Sequence, residues 1–295
     1  MASHPKVSVV LINWNQREHA SACLASLQAL DYPNCQVILV DNGSTDDSAA
    51  LIEAQFPSVL VIRNGANLGF AEGNNVGIRK AIECEAAYVF LLNSDSVVAS
   101  DALGILVQEA ERAERVGMVG PTIYLHQEPG HVWKVGGTVD KLGRAVDLAR
   151  SEPSAVTGGA PRGVDFVTGC AMLVKRDLIE RAGLIDARFF AYYEELDWCM
   201  RAKRAGFAVL YVPRAKVWHK IDPQARGESP RVAYLMSRNR LLFLREQGFP
   251  AFVIVLHLAQ MIAKELAQQR RVRKAVLQGI HDYFRGKFGE PSVAP

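Results

Sequence analysis

The residues of this chain that could do chemistry stand in short polar clusters, each at the end of an apolar run. Asn93-Ser94-Asp95-Ser96 follows Tyr88-Val89-Phe90-Leu91-Leu92. A carboxylate delivered there can hold a hard divalent cation, which takes oxygen ligands and neutralises phosphate. The same residues also read as an Asx or Ser turn capping the next helix. Asp41 heads Asp41-Asn42-Gly43-Ser44-Thr45-Asp46-Asp47-Ser48. It suits an acceptor for a base or ribose donor, or a turn former ahead of a cap at Ser44 or Thr45. In the Gly- and Asn-rich segment 64–75, Gly69 and Gly73 permit close backbone approach to a ligand, and Asn74 and Asn75 can donate to a phosphate or base. The alternative there is a plain turn plus cap. Glu194-Glu195-Leu196-Asp197 opens a helix that closes at Gly206. Three carboxylates in a first turn suit the positive end of a helix dipole. Glu195 also follows Phe189-Phe190-Ala191-Tyr192-Tyr193, an apolar setting that raises a carboxyl pKa toward that of a general base. His219 ends Val217-Trp218-His219 and is a candidate metal or diphosphate contact, or else a structural histidine.

Something must bring these clusters together. Val7–Ile12, Gln36–Val40, Val59–Ile62 and Tyr88–Leu92 are β-branched or apolar runs that read as buried strands. Helices are expected over Arg17–Leu30, Ala49–Ala54, Val76–Cys84 and Asp101–Arg115. Such alternation predicts a parallel sheet with helices on both faces. Right-handed crossovers then put the loops that follow the strands on one edge, where open α/β sheets bind ligands. No G-x-G-x-x-G and no G-x-x-x-x-G-K-[ST] occurs, so neither a dinucleotide fingerprint nor a P-loop is present. Beyond Gly117 the pattern loosens. The stretch 124–162 is irregular apart from Val132-Trp133-Lys134-Val135, and strand-like segments return at 164–174 and 210–219.

At 295 residues the chain can bury a full core. Its net charge of +3 is too slight to argue for a nucleic-acid partner. Five scattered cysteines without a C-x-x-C spacing suit a reduced compartment. With no signal peptide visible and no run of about 18 apolar residues, the expected location is cytoplasmic, including the inner face of the membrane.

Taken together, V-S-V-V-L-I-N-W-N (7–15), V-D-N-G-S-T-D (40–46), N-L-G-F-A-E-G-N-N-V-G-I (67–78), L-L-N-S-D-S (91–96), F-V-T-G-C-A-M-L-V (166–174) and F-F-A-Y-Y-E-E-L-D-W-C-M-R-A-K-R-A-G (189–206) resemble the family 2 glycosyltransferases of GT-A fold, in particular the rhamnosyltransferase-like branch. The resemblance runs from residue 7 to about 245. It implies a transferase domain over 1–245 and a helical extension over 246–295. It further implies an inverting transfer from a nucleotide diphosphate sugar (dTDP-rhamnose or a UDP-sugar) to a glycan or lipid-linked acceptor, with Mg²⁺ or Mn²⁺ as cofactor. Asn93-Ser94-Asp95 stands where the family has a DxD-type metal motif, and Asp95 is its one carboxylate. The family's Glu-Asp pair is Glu194-Glu195 here, which leaves the base between the two. The small residues that usually follow the histidine are replaced by Lys220-Ile221-Asp222. The expected site is then Glu195 and Glu194 as catalytic carboxylates; Asn13, Asn15, Asp41, Gly69, Asn74 and Asn93 around the nucleotide; Asp95 and His219 on the metal; and Trp133 and Asp197 on the acceptor side. A nucleotidyltransferase is the enzyme alternative, but Asn13-Trp14-Asn15-Gln16-Arg17 lacks the Gly and Lys of a pyrophosphate-gripping loop. A nucleotide-sugar binder without catalysis is the non-enzyme alternative.

The tail, 249–287, holds the most apolar stretch of the chain, followed by Arg270, Arg271, Arg273, Lys274, Arg285 and Lys287. His257, Gln260, Lys264 and Gln268 recur at helical spacing, predicting one polar face. Such a helix suits an anionic membrane surface, or packing on the catalytic domain or on a second subunit in a homo-oligomer.

Overall fold

The computed structural model describes residues 4–151, 159–220, 229–265 and 270–291. The first half alternates as its apolar runs predict: β1 (Val7–Asn13), α1 (Arg17–Gln28), β2 (Cys35–Asp41), α2 (Ser48–Gln55), β3 (Leu60–Arg63), α3 (Gly69–Glu83) and β4 (Tyr88–Asn93). There follow β5 (Ser96–Val98), α4 (Ala102–Ala110) and β6 (Val116–Leu125). The stretch expected to be irregular contains β7 (Val132–Lys134), the hairpin β8 (Gly137–Val139) and β9 (Ala145–Asp147), and α5 (Leu148–Ser151). The chain continues with β10 (Arg162–Val164), β11 (Ala171–Lys175), α6 (Arg176–Ala182), α7 (Glu194–Arg204) and β12 (Ala208–His219). It ends in α8 (Pro230–Glu246), α9 (Ala251–Glu265) and α10 (Arg270–Phe284).

Among the described residues the main sheet runs β10-β12-β6-β11-β4-β1-β2-β3, with β5 on β12 and β7 on β6. It is mostly parallel, but β11 lies antiparallel between β4 and β6. From β1 the chain crosses to β2 on one side, and β4 joins on the other, so the carboxyl end of β1 is a topological switch point. Asn13 there sits opposite Asp41, and Ile12 opposite Asn93. Both faces of the sheet are covered: Leu11, Phe90, Leu92 and Leu106 share one buried cluster, and Val10, Leu91, Ile78 and Trp198 another.

Three expectations change. The helix expected from Val76 begins at Gly69, so Asn74 and Asn75 lie on α3 rather than in a loop. Gly73 and Gly77 face Ile12 and Val10 so closely that a β-carbon at either would collide with them. These glycines therefore set the approach of helix to strand, where the sequence suggested backbone open to a ligand. No sequence signal singled out α8, which is integral to the fold. In the tail, Gln260 of the expected polar face is exposed but His257 turns inward, and the Lys264 side chain lies outside the described residues. His257 is buried, and its Nε2 donates to Leu142 O (2.7 Å). Gln268 lies outside the described residues.

Candidate active site

A cleft of ≈ 360 Å³ opens at the switch point, walled by Trp14, Gln16, Asn42, Asn93, Asp95, Phe190 and Tyr192, with Gly69 and Arg231 on its lining. This is at the small end of ligand-sized cavities. Beside it, Asp41, Ser44, Thr45 and Arg63 line a depression of ≈ 180 Å³. The loops after β1 and β2 are stitched together. Asn13 Nδ2 donates to Ser44 Oγ (3.2 Å) and reaches Asp41 Oδ1 (3.5 Å), and Asp41 Oδ2 accepts from Ser44 N (3.3 Å). Asn15, at φ 53°, accepts from Thr45 N (2.7 Å). Its side-chain oxygen thus holds the neighbouring loop. Asn13 Oδ1 is buried without a partner, leaving a free acceptor at this end. The buried Asn42 shapes the third loop, accepting from Leu68 N and donating to Asn67 Oδ1 and Gly69 O.

Across the cleft, β4 and β5 turn through Asn93, Ser94 and Asp95. Asp95 Oδ1 lies 2.8 Å from Nε2 of the fully buried His219, and Asn93 Nδ2 is 3.3 Å from the same nitrogen. Register explains the meeting: β12 pairs with β5, His219 opposite Ser96. Burial works against the charged imidazolium, yet the Cys170 sulfur and the Asp95 carboxylate outweigh it and hold the ring pKa at about 10. Trp133 stacks on His219, ring centres 4.9 Å apart, so it backs the histidine. A hard divalent cation fits these donors. Asn93 Oδ1 and Asp95 Oδ1 are buried in the cleft wall without an aligned hydrogen bond, and both are the oxygens such ions take. Among the described residues no group of three or more His, Cys, Asp or Glu converges. Substrate oxygens and water would complete a cation's shell, as they commonly do for Mg²⁺.

Glu194 and Glu195 open α7 on the same rim. Asn93 N donates to Cys170 O (2.9 Å), tying β4 to the turn before β11. A β-carbon on Gly169 in that turn would stand 3.3 Å from Glu195 Cβ and 3.5 Å from the ring of Phe70, which lines the cleft. Glu195 thus packs on a turn that β4 and β5 hold in place, Ser96 Oγ lying 3.5 Å from Cys170 Sγ in the same turn. Glu194 is buried, its Oε2 unpaired. Burial, then the charge of Glu195, push its pKa well above the usual carboxyl range. The segment leading into the pair is held in left-handed backbone at Phe190 (φ 65°), Tyr192 (69°) and Tyr193 (75°), which non-glycine residues adopt at a cost. What holds it there is α8. The buried Asn239 Nδ2 lies 2.8 Å from each of Phe189 O, Ala191 O and Tyr192 O, its two hydrogens shared among the three carbonyls. Arg238 Nη2 donates to Phe189 O (3.1 Å) and Nη1 to Gly289 O (2.9 Å). On the far side Phe190 presses on Gly69 (φ 80°), where a β-carbon would come within 2.6 Å of its ring.

Of the expected site residues only Gly69, Asn93 and Asp95 line the cleft itself; Asp41 lines the depression beside it, and Asn13, Asn15, Trp133, Glu194, Glu195 and His219 lie outside both linings, as do Asn74 and Asp197. Asn74 is buried on α3 and donates to Phe70 O (2.8 Å), while its neighbour Asn75 clasps the backbone of Ile185. Asp197 is buried on α7, accepting from Arg201 Nε (2.8 Å) and Gln247 Nε2 (2.5 Å). Arg201 in turn donates to Ala182 O and Leu184 O, so Asp197 anchors α7 to the segment before it. Sequence reasoning missed Trp14, Arg231, Asn239 and the Phe190–Tyr192 wall. Only Trp14, an aromatic directly after a strand end, carried a local signal. Ile221 and Asp222 lie outside the described residues.

An α/β sheet of this order, with amide, carboxylate and imidazole groups near its switch point, has the GT-A fold. The family described as Glycosyltransferase like family 2 matches residues 4–240, and the chain belongs to it. It is an enzyme of the glycosyltransferase class. It is 25% identical over 92% of its length, and 98% of the relative's, to the N-acetylglucosaminyl-diphospho-decaprenol L-rhamnosyltransferase of Mycobacterium tuberculosis. It is 24% identical to the dTDP-rhamnosyl transferase RfbF of Shigella flexneri, over 96% of this chain and 97% of that one. Among solved structures, the mannosyltransferase PcManGT from Pyrobaculum calidifontis, in complex with GDP-Man and Mn²⁺, superimposes with a TM-score of 0.60. That likeness covers 97% of this chain and 84% of the other, at 15% identity.

Proposed function

We propose that this enzyme inverts the anomeric centre of a sugar as it moves it from a nucleotide diphosphate donor to a hydroxyl of a glycan or lipid-linked acceptor. The donor class favoured is dTDP-rhamnose, because both named bacterial relatives are rhamnosyltransferases. The observation that supports the reading is Glu195 packed on the Gly169-Cys170 turn, to which Asn93, two residues before Asp95, is hydrogen-bonded.

The nucleoside lies over Asn13, Asp41 and the exposed ring of Trp14, with Asn15 and Gly69 shaping the loops beside it. The diphosphate runs toward Asn93 and Asp95. Among the described residues Arg231 is the one cationic side chain on the cleft lining, and it faces the leaving group's negative charge. Asp95, joined by His219 only once its imidazolium has given up the Nε2 proton, would hold Mg²⁺ or Mn²⁺, which, when bound, offsets the charge that builds on the departing diphosphate. Glu195 takes the proton of the acceptor hydroxyl as its oxygen bonds to the anomeric carbon, while the diphosphate leaves from the opposite face. Burial raises the pKa of Glu194, which sits beside Glu195 as the second carboxyl of the pair. Trp133 fixes His219 from behind and borders the acceptor side.

Glu195→Gln tests this. Turnover is expected to fall at least ~10²-fold, the scale of a lost general base, while nucleotide binding measured by calorimetry stays unchanged. Retained turnover would remove Glu195 from the mechanism. A thermal-shift panel of nucleotide sugars with Mg²⁺ or Mn²⁺ reads the donor, with dTDP-rhamnose expected to give the largest shift.

A further inference from the structure

The tail leaves one face of α9 uncovered. Phe252 and Val255 are 66% and 62% exposed, Ile262 45%, and Leu256 joins them at helical spacing. Ala251, Ala259 and Ala263 fill the gaps, and Gln260 is the single polar residue exposed on the described part of the helix. The opposite side buries Val253 and Met261 with Leu244 in a common cluster, and His257 bonds inward to Leu142 O. The helix has therefore turned its histidine into the protein and its largest apolar side chains out to solvent. Soluble monomers rarely leave such a stripe bare. The adjoining α10, which touches α9, adds Phe284 (65% exposed) together with exposed Lys274, and Arg285 and Lys287 follow at its end. The one acid of α10, Asp282, is buried and accepts from Tyr234 OH (2.9 Å).

We propose that α9 and α10 dock on the surface of an anionic lipid bilayer. The α9 stripe enters the acyl boundary, and the α10 cations meet the headgroups. Charge selects this occupant. A second copy packed across a two-fold axis would set basic α10 against basic α10, whereas an anionic surface complements it. Among the described residues no helix is long and apolar enough to cross a membrane, so the contact is interfacial. The inference does not depend on the transfer reaction, because docking is read without turnover.

The full chain is sedimented with vesicles of phosphatidylcholine alone or mixed with phosphatidylglycerol. Binding to the mixed vesicles is expected to be at least ~10-fold tighter than to the neutral ones and to weaken with salt. Phe252→Glu with Val255→Glu is expected to abolish it. Lys274→Glu with Arg285→Glu and Lys287→Glu should weaken it ~10-fold or more, with melting temperature and turnover on a water-soluble acceptor unchanged in both variants. The proposal is overturned if the protein ignores vesicles, or if the Phe252/Val255 pair binds them like the parent. A concentration-dependent dimer in light scattering that the same pair dissolves would also overturn it, assigning the face to a second copy.

Discussion

Glu194 is a carboxyl group held where a carboxylate is costly: buried, with one oxygen unpaired and Glu195 next to it. Its folded pKa lies above the unfolded value, about 4.3. Its contribution to stability is therefore complete below that pH and lost as pH climbs through the folded pKa. Glu194→Gln keeps the shape without the ionisation. Urea melts of the two proteins should agree in acid and diverge toward neutrality, the variant being the more stable by on the order of 1 kcal/mol per unit of raised pKa. Equal stability at every pH would mean Glu194 ionises as freely as in an unfolded chain. Asp197 is the contrasting case. Asp197→Ala strands the Arg201 guanidinium against Gln247 and should cost about 3 kcal/mol in denaturant melts. Enzyme that remains folded should keep its acceptor KM, which an acceptor contact would not allow.

Between elements, the meeting of α8 with the segment before α7 decides where the carboxylate pair sits. Asn239→Ala frees three carbonyls from their shared donor and lets the left-handed residues relax. Turnover is expected to drop ~10²-fold, the cost of a small misplacement of a reacting group, with nucleotide affinity by calorimetry unmoved. If donor KM rises while kcat falls, the helix is holding the nucleotide loops instead. This is also where the sequence stops being legible. Strands β1, β2 and β4 announce themselves because buried parallel strands are continuous apolar runs, and the polar residues that end them are local too. Asp41, Asp95, Glu195 and His219 could be named for that reason. Arg238 and Asn239, set in a helix that otherwise reads as half surface, are buried because carbonyls some 50 residues upstream need donors. No spacing rule records that. Gly73 misled in the opposite direction, since glycine punctuates loops and also admits a neighbouring side chain, here that of Ile12.

At the scale of the molecule, the last fifty residues are not an appendage that can be removed. Gly279 of α10 lies against Tyr234 O and Ser237 Oγ of α8, and Ser237 Oγ donates to both Tyr234 O and Val276 O. A chain ending at Arg245 would bare Tyr234, Leu242 and Phe243. It should lose cooperative thermal unfolding, whereas substitutions confined to the outer face of α9 should not alter it. Composition marked the tail as apolar and basic. Which way its histidine faces depended on a carbonyl at Leu142, far away in sequence.

One helix, α8, carries Arg231 and Leu235 in the cleft wall and Tyr234 and Ser237 under α10. It thus joins the cleft wall to the tail. If a ligand in the cleft and a contact on the tail favour different tilts of this helix, each changes the other's affinity by the same factor.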